Sequence, residues 1–561
     1  MSESMARLWR LLGPVVLALF LLGAPGLADA AKPTDLYADT DALTVYPTPP
    51  VSGDVVSVKV TAHNGSHKPL MNVPAAVYRR DGDKDIQVAR VTIPYIPPTG
   101  QGSATAEWAW DTSGMVGTQS LVVQVDPDNN IGEGDENAAN NVALGSVTLE
   151  APTPGVSPQW AAVDTGCCTL HYITGTAAER DIAALMSETD ASVARVQQTL
   201  GIASPPRLQI YLVPRTLGQG GFTAGHIVLS YLDRQYAVGF APIVITHEAT
   251  HALQNSWTPG ESPLMLSEGL AVWVAGGHFK PEPIRQRAAA LLALDRYLPL
   301  DQLVENFYDK QHETGYLEAA GLIQYLVETH GQDKLRVLFG SLQRRRGERD
   351  RQALERGFQA AYGKSVAEID ANYRAWLAAT PPNPTQQRDL ADTARLFDLM
   401  RAYQQALDPT AYFRTPWMPP IEEAERRGLV ADYLRHPHTD VNEAIEALLL
   451  RAADEQGTGD YDALEHTLDV VDGVLAAHTG APDRDWTDAF TDPLAAAYLD
   501  AIRALQSAGF EPQRVLMDNG SAQVWATRSG AASLYRLTMT QDSEGWHLLE
   551  WVSKEDAWLP G

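Results

Sequence analysis

The chain has 561 residues, and its 70 acidic and 43 basic side chains give a formal net charge of -27. This length allows three or four domains. The charge argues against nucleic acid and anionic membrane surfaces as partners, because each of them would repel such an acidic protein. The composition therefore predicts a multidomain protein whose partners are not polyanions.

The only two cysteines, Cys167 and Cys168, are adjacent in the sequence. So few cysteines do not make a disulfide-stabilised scaffold. Neighbouring Cα atoms lie about 3.8 Å apart, which is shorter than normal disulfide geometry, so a bond between these two would be strained. We therefore predict that the two cysteines form part of a strand and have no redox role.

The N-terminus has the charge and hydropathy order of a secretory signal peptide. Arg7 and Arg10 precede the apolar run Leu11–Leu22, and small residues lead up to Ala30. The run is too short for an ordinary membrane span, and no later segment reaches about 20 apolar residues. An uncleaved anchor is the alternative. We predict that residues 1–30 are removed and that the mature protein is secreted or extracytoplasmic, without a stable membrane span.

Residues 33–150 are rich in Val, Thr, Pro and Gly and contain short alternating runs, such as Val55–Ala62 and Leu121–Val125. Runs of this kind predict an antiparallel β-sandwich. The acidic and amide residues of Asp126–Glu136 either bind calcium through oxygen ligands or form a solvated hairpin turn. An EF-hand loop is excluded, because Ile131 stands where glycine is needed.

Four short motifs stand out in this region. They are Asp35-Leu36-Tyr37, Gly53-Asp54-Val55-Val56, Asn64-Gly65-Ser66 and Val125–Glu133, the last followed by Glu136, Asn140 and Asn141. The motifs are similar to those of CARDB, the cell-adhesion-related domain of bacterial surface proteins. The resemblance implies an Ig-type β-sandwich whose partner is a ligand at the cell surface.

A proline-rich linker precedes residues 156–380, which carry the strongest chemical motif. The chain reads His-Glu-Ala-Thr-His from His247 to His251. Positions i and i+4 share one helix face, so the two histidines can present their imidazoles to one metal ion. Glu248 lies one step round the helix, where it can reach a metal-bound water without being a ligand.

A second helix supplies a third candidate ligand. The apolar run Leu264–Ala275 ends at Gly276, and Glu268 is its only formally charged residue. A lone carboxylate in such a helix needs a partner, and a metal ion is a suitable one. Three protein ligands leave one coordination position open, as in catalytic zinc sites. The alternatives are core histidines bonded to backbone with Glu268 paired to an arginine, and a zinc site that has lost turnover.

Together the two segments resemble the gluzincin branch of the zinc metallopeptidases, and more narrowly the bacterial peptidase-MA-like domains. The similar segments that extend the resemblance over residues 160–380 are Gly315–Ala320, Tyr325–Gly331, Phe358–Ser365 and Tyr373–Leu377. The resemblance implies a zincin-like α+β fold, Zn2+ as cofactor and a peptide or protein substrate. The residues that it implies are His247, His251 and Glu268 as metal ligands, Glu248 as general base, and Tyr316 as the residue that stabilises the oxyanion.

One departure and one alternative accompany this resemblance. Some gluzincins place an Asp four residues after the ligand Glu to orient a histidine, whereas here that position is Val272. Tyr316 is also compatible with a core position on an amphipathic helix, and Tyr325 is then the next candidate. Upstream, the alternation of Thr223–Ser230 predicts a strand; in related zinc peptidases an edge strand before the metal helix pairs with extended substrate.

Residues 385–561 begin with an amphipathic helix around Leu390–Leu399. The stretch from Val441 onwards is loosely similar to SnoaL-like α+β cones, and an unrelated α+β module is the alternative. Alternating runs near the end predict strands at Ala522–Thr527, Tyr535–Thr540 and Trp546–Val552.

The sequence thus predicts a β-sandwich at 33–150, a zincin-like α+β domain at 156–380, and a helical region with a cone-like α+β module at 385–561. The predicted activity is peptide-bond hydrolysis by an extracytoplasmic zinc metallopeptidase. The alternative is a bacterial surface binding or adhesion protein with an inert peptidase-like domain. The intact motif favours the enzyme, because a decayed site usually loses a ligand or the base. Two proline-rich linkers, Ala151–Gly155 and Thr380–Pro384, also predict that residues 155–382 fold and bind zinc alone.

Overall fold

The computed structural model describes residues 35–553 with short gaps, so the predicted signal peptide and most of the proline-rich linker lie outside the described residues. None of the described helices is long and apolar enough to cross a membrane. The chain divides into two compact units, Met1–Trp160 with Met418–Arg435 and Ala161–Trp417 with His436–Gly561. The gaps are 40–41, 47–49, 54, 83, 99–101, 132–134, 136, 152–157, 238, 259, 261, 306, 409–419, 435, 480–484, 519 and 529–532.

The first unit contains two antiparallel four-stranded sheets. Its strands are β1 (Leu36–Tyr37), β2 (Leu43–Tyr46), β3 (Val55–Asn64), β4 (Leu70–Asp81), β5 (Lys84–Ile96), β6 (Gly102–Asp111), β7 (Gly117–Val125) and β8 (Val142–Leu149). One sheet has the order β1-β3-β2 with β6 also on β3, and the other has the order β5-β4-β7-β8. The predicted antiparallel β-sandwich is confirmed.

Strand β3 shows why this region folds as a sandwich. Val56, Val58 and Val60 are fully buried, whereas Lys59 between them is partly exposed. Successive side chains of a strand point to opposite faces, so alternation places one face of β3 in the shared apolar core. Burying each valine contributes about 1.5–3 kcal/mol.

Asp126 belongs to a turn after β7. Its carboxylate accepts the backbone N–H of Asn130 and that of Ile131, each at 2.8 Å. Both oxygens therefore support the local turn, which favours the hairpin-turn interpretation of this acidic segment over a calcium site. Residues 132–134 and 136 of the segment lie outside the described residues.

A mainly parallel sheet lies in the second unit. Its strands are β9 (Trp160–Asp164), β10 (Cys168–Ile173), β11 (Leu208–Val213), β12 (Gly221–Thr223) and β13 (Ile227–Ser230), in the order β12-β13-β11-β10-β9. Strands β10, β11 and β13 are parallel, and β12 is antiparallel to β13 at the edge.

The predicted strand over Thr223–Ser230 is confirmed at Ile227–Ser230 but is not continuous, because the chain turns at residues 224–226 and forms a hairpin. The backbone N–H of Ala224 donates to the carbonyl of His226 at 2.9 Å, and Gly225 has a φ of 86°. Glycine adopts positive φ without steric cost, so Gly225 lets the chain reverse. The edge strand before the metal helix is therefore β12, which ends at Thr223.

The prediction for the cysteines is wrong, because a disulfide joins Cys167 to Cys168. Only Cys168 lies in β10, whereas Cys167 belongs to the turn before it. The Asp190 carboxylate holds this turn by accepting the backbone N–H of Gly166 at 3.1 Å and that of Cys167 at 3.0 Å. Adjacent side chains diverge in an extended strand, and the turn removes that divergence.

Sixteen α-helices are described. They are α1 (Ala177–Arg180), α2 (Ile182–Leu200), α3 (Ala241–Gln254), α4 (Leu264–Ala275), α5 (Ile284–Ala293), α6 (Leu300–Leu303), α7 (His312–His330), α8 (Gln332–Ser341), α9 (Asp350–Tyr362), α10 (Val366–Ala378), α11 (Pro384–Leu407), α12 (Ile421–Arg427), α13 (Ala431–Leu434), α14 (Asp440–Thr458), α15 (Tyr461–Thr479) and α16 (Pro493–Ser507). The described 3₁₀ turns are Ala138–Asn140, Leu217–Gln219, Phe307–Asp309 and Trp486–Ala489.

Helix α4 has the predicted bounds and ends at Gly276, which has a φ of 82°. It packs closely on α7 at Gly269. A Cβ atom on Gly269 would lie 2.6 Å from the carbonyl oxygen of Ala319, so a side chain here would push the two helices apart. The glycine next to Glu268 thus sets the depth at which the third candidate ligand lies.

The C-terminal part of this unit combines α14–α16 with an antiparallel sheet. Its strands, in spatial order, are β14 (Phe510–Asp518), β15 (Ser521–Arg528), β16 (Tyr535–Asp542) and β17 (Gly545–Ser553). The three predicted strands are confirmed, and β14 precedes them. The apolar core of this part also includes Tyr236, Ala237 and Phe279, which come from the predicted peptidase domain.

Buried ion pairs join the same two regions. Arg234 lies 3.1 Å from Glu443 and 2.5 Å from Glu446, and Arg215 pairs with Asp408. Each of these five side chains is less than 5% exposed. Removing one partner of a buried pair costs about 3–5 kcal/mol, because the other charge loses its compensation. The predicted boundary near residue 382 therefore crosses a shared core.

Candidate active site

Helices α3 and α4 bring the three predicted ligands together. Nε2 of His247 lies 3.2 Å from Oε2 of Glu268, and Nε2 of His251 lies 3.1 Å from the same oxygen. The two Nε2 atoms are 3.1 Å apart. His247 and Glu268 are buried, and His251 is partly exposed. The three ligand atoms thus form a nearly equilateral triangle. Of the three side chains, that of His251 is the one partly accessible to solvent.

The sequence of α3 explains this orientation. Pro242 lies in the first turn, where its missing N–H is tolerated. Ile245 and Ala249 are fully buried in the apolar core of this region. His247 and His251 follow each of them by two residues, which is about 200° round the helix, so the imidazoles face away from that core.

The triangle fits a zinc ion. Tetrahedral bonds of about 2.0–2.2 Å separate ligand atoms by roughly 3.3 Å, close to the observed 3.1–3.2 Å. Imidazole and carboxylate are ligands that zinc accepts, and three of them leave a fourth position for water or substrate. The residues present therefore suit the predicted cofactor.

The ionisation of the ligands is set by burial and by their mutual charges. Burial lowers the pKa of His247 to about 4, which keeps its imidazole in the neutral form that binds metals. Burial lowers the pKa of His251 as well, but the charge and hydrogen bond of Glu268, together with the charge of Glu248, raise it to about 9. Burial raises the pKa of Glu268, yet the charge of His251 and the hydrogen bonds from both histidines together hold it well below its usual value. Metal binding would therefore displace a proton from His251.

Glu248 lies beside this triangle rather than in it. Oγ1 of Thr223 donates to Oε2 of Glu248 at 2.8 Å and also lies 3.0 Å from its backbone carbonyl oxygen. Burial raises the pKa of Glu248 to about 7, against the lowering effect of the charge on His251. A carboxylate with a pKa near neutrality is suited to accept a proton and to release it again.

Strand β12 passes directly beside Glu248. A Cβ atom on Gly221 would lie 3.2 Å from Cγ of Glu248 and 2.7 Å from the Leu229 side chain. The backbone of β12 can approach the Glu248 side chain this closely because residue 221 has no side chain. The edge strand and the candidate base are thus adjacent, which an extended substrate bound to that edge requires.

Two side chains that the sequence did not single out contact the ligands. The hydroxyl of Tyr308 donates to Oε1 of Glu268 at 2.8 Å. Oγ of Ser267 lies 3.3 Å from Nδ1 of His251. Such outer contacts orient metal ligands and fix the tautomer of a histidine.

His247 differs from its neighbour in this respect. Its Nδ1 is buried and has no hydrogen-bond partner among the described residues. Val272, at the position where some gluzincins carry an orienting Asp, is fully buried and apolar. An unbonded buried donor costs about 1–3 kcal/mol. Among the described residues, the second ring nitrogen of His251 therefore has a hydrogen-bond partner, and that of His247 has none.

Tyr316 lies at the site, as predicted. Its ring is 6.2 Å from that of His247 and stacks on His278 at 4.2 Å. Its hydroxyl interacts with that of Tyr308. Tyr325, the second candidate, lies nine residues further along α7, which is about 13 Å. The geometry favours Tyr316 of the two.

A second imidazole–carboxylate cluster lies next to Tyr316. Glu313 accepts a hydrogen bond from Nδ1 of His278 at 2.7 Å on one oxygen and from Nδ1 of His312 at 2.9 Å on the other. The rings of both histidines lie 4.2 Å from that of Tyr316. The buried Glu313 thus fixes two imidazoles beside the candidate site. In the sequence, the adjacent pair His312-Glu313 was the only signal.

Comparison with protein families gives a match in the central region of the chain. Residues 177–379 match the model of the Peptidase MA superfamily. No curated protein matches the chain. The matched segment contains the ligand triangle, Glu248 and Tyr316.

Solved structures show fold-level likenesses at low scores. An M1 zinc metallopeptidase from Deinococcus radiodurans is 16% identical, with a TM-score of 0.25, over 62% of this chain and 94% of that one. A metallopeptidase from Bacteroides thetaiotaomicron is 11% identical, with a TM-score of 0.23, over 93% and 81%. A CARDB domain from Pyrococcus furiosus is 19% identical, with a TM-score of 0.17, over 21% and 94%.

The Pyrococcus furiosus domain carries the name of the CARDB family, which the N-terminal motifs resemble. The family model, which spans α1 to the end of α10, agrees with the resemblance carried by the His-Glu-Ala-Thr-His segment. Residues 177–379 are thus similar to the domains of the Peptidase MA superfamily.

Proposed function

We propose that the protein is an extracytoplasmic zinc metallopeptidase that hydrolyses peptide bonds. The observation that carries this proposal is the convergence of three ligand atoms, 3.1–3.2 Å apart, beside the buried carboxylate of Glu248. A structural zinc site would use four protein ligands, whereas this set offers three. The extracytoplasmic location rests on the signal-like order of residues 1–30.

His247, His251 and Glu268 would hold the metal ion. Zinc, when bound there, would polarise a water molecule and the scissile carbonyl. Glu248 would take the proton of the attacking water and deliver it to the leaving amine nitrogen. Tyr316 would donate a hydrogen bond from its hydroxyl to the developing oxyanion, a contribution of about 3 kcal/mol.

The substrate of this proposal is a peptide or protein in extended conformation. Strand β12 is the terminal strand of the described sheet. It ends at Thr223, whose hydroxyl donates a hydrogen bond to Glu248. A substrate strand on this edge would bring its carbonyl groups past the base and the metal position. A ligand of the N-terminal sandwich at the cell surface is a further proposed partner, suggested by the CARDB-like motifs.

We expect the purified mature protein to contain one zinc ion per chain by elemental analysis. Glu268→Ala and His247→Ala should each lose most of this zinc, because a three-ligand site cannot replace a missing ligand. His226→Ala removes a partly exposed histidine of the hairpin turn that is not a predicted ligand, and it serves as the control. Zinc content near that of the wild type in both ligand variants would contradict the assignment.

Tyr316→Phe should lower the turnover number by about 100-fold or more, with little change in KM, because only an oxyanion donor is lost. Steady-state kinetics on a quenched fluorescent peptide measure both constants. Tyr325→Phe removes a hydroxyl from the same helix about 13 Å away and should behave as wild type. Equal activity of the two variants would remove Tyr316 from the mechanism.

A wild-type protein that binds zinc and cleaves no member of a broad peptide library would support the alternative function. In that case the chain would be a surface binding protein whose peptidase domain is inert. The same library therefore separates the two functions, while the zinc measurement tests the site in either case.

A further inference from the structure

We infer that Tyr308 is a positioning residue that fixes Glu268 as a metal ligand through one oxygen. The inference rests on the proposed zinc site and adds a residue to it. The starting observation is that the two oxygens of Glu268 have different partners. Oε2 faces the Nε2 atoms of both histidines, and Oε1 accepts the hydroxyl of Tyr308 at 2.8 Å.

This division matters because a carboxylate can turn about its terminal torsion. A free Glu268 side chain could present either oxygen, or both, to a metal ion. A second oxygen on the metal would fill the position that water and substrate need. The hydrogen bond from Tyr308 holds Oε1 away from the triangle, so one oxygen points at the metal position and the open position is kept.

The environment of Tyr308 indicates that this bond is specific. Tyr308 is 42% exposed, so its ring is not driven to this place by burial of apolar surface. Its neighbour Phe307 is 5% exposed and packs in the core, with its ring 5.1 Å from that of Tyr316. Phe307 therefore anchors the 3₁₀ turn, and the exposed tyrosine beside it reaches inward with its hydroxyl.

Tyr308 also has a second neighbour at the site, because its hydroxyl interacts with that of Tyr316. The contacts thus run from Tyr316 through Tyr308 to the non-coordinating oxygen of Glu268. Outer contacts of this kind typically change metal affinity or activity by about 10–100-fold when they are removed. Tyr308 accordingly orients the third ligand and places Tyr316 relative to it.

The test is the zinc dissociation constant of Tyr308→Phe, measured in the mature chain by competition with a chromophoric chelator. The substitution removes one hydroxyl and leaves the exposed ring, so the fold should be retained. We expect zinc affinity to fall by about 10-fold or more and zinc to transfer faster to the chelator. Unchanged affinity and release rate would overturn the inference.

Tyr297→Phe is the matched control. Its hydroxyl donates to Oδ1 of Asp370 at 2.8 Å, the same length and chemistry as the bond from Tyr308 to Glu268. Zinc affinity in this variant should stay within about twofold of the wild type, since Asp370 is not a ligand. An equal loss in both variants would show that any such bond acts only through overall structure and would also overturn the inference.

Failure of the proposed function gives a different result. If the wild-type chain binds no zinc, the proposed site itself is wrong, whatever the variants do. If the wild type binds zinc tightly and Tyr308→Phe binds it equally well, only the role of Tyr308 is lost.

Discussion

Glu248→Gln is expected to abolish peptide hydrolysis while the zinc content stays at one ion per chain. The glutamine amide has the size of the carboxylate that it replaces. Residue 248 is not one of the three ligands, so the metal site should be retained. The amide cannot accept a proton from water, however. General-base catalysis contributes about 10²–10⁴-fold, so turnover should fall by at least ~10²-fold.

A second buried glutamate of the same domain provides the control. Glu318 is 1% exposed and accepts the backbone N–H of Leu298 at 3.1 Å, a bond that an amide oxygen can also accept. Glu318→Gln should therefore keep near-wild-type turnover. Initial rates and elemental analysis on all three proteins decide the question. Turnover of Glu248→Gln within tenfold of the wild type would rule out Glu248 as the base.

The second large effect concerns the C-terminal region. The linkers predict that residues 155–382 fold alone, and that remains untested. The buried contacts predict the opposite, because cutting after residue 382 removes the partners of Arg215 and Arg234 and uncovers Tyr236. We expect the fragment 155–382 to lack a cooperative thermal transition and the fragment 155–561 to show one by circular dichroism.

A point variant measures the same effect in the intact chain. Arg234→Ala should lower the free energy of unfolding by about 3–5 kcal/mol, because Glu443 and Glu446 are left buried without their cation. Arg388 pairs with Asp462 and Glu465 at the surface, where solvent screens the charges, so Arg388→Ala should change the free energy of unfolding far less. An equal loss of unfolding free energy in the two variants, or a stably folded fragment 155–382, would show that the shared core contributes little to stability.

The features that local sequence predicts are those with local causes. The bounds of α4 follow from a proline before an apolar run and a glycine after it. The triangle follows from the i, i+4 spacing of two histidines and the lone charge of Glu268. The hairpin at Gly225 had a local signal too, but the alternation of apolar residues on either side of the glycine outweighed it.

Tyr308 and Arg234 show what local sequence leaves out. Tyr308 reaches Glu268 across 40 residues, and Arg234 reaches Glu443 across 209. Neither contact has a spacing rule, because each depends on how separate helices pack. An arginine is mostly exposed and a tyrosine is intermediate in burial, so neither residue type by itself indicates such a contact. Only the assembled core shows that these two side chains carry specific bonds.

The length of β12 has a consequence for substrate recognition. Three residues span about 10 Å, so a peptide laid along this edge gains only two or three backbone hydrogen bonds. At about 1 kcal/mol net for each bond, backbone pairing alone gives weak binding. Michaelis constants for unstructured peptides should therefore lie towards the millimolar end of the usual range. Selectivity among the proposed substrates would then depend on contacts with their side chains.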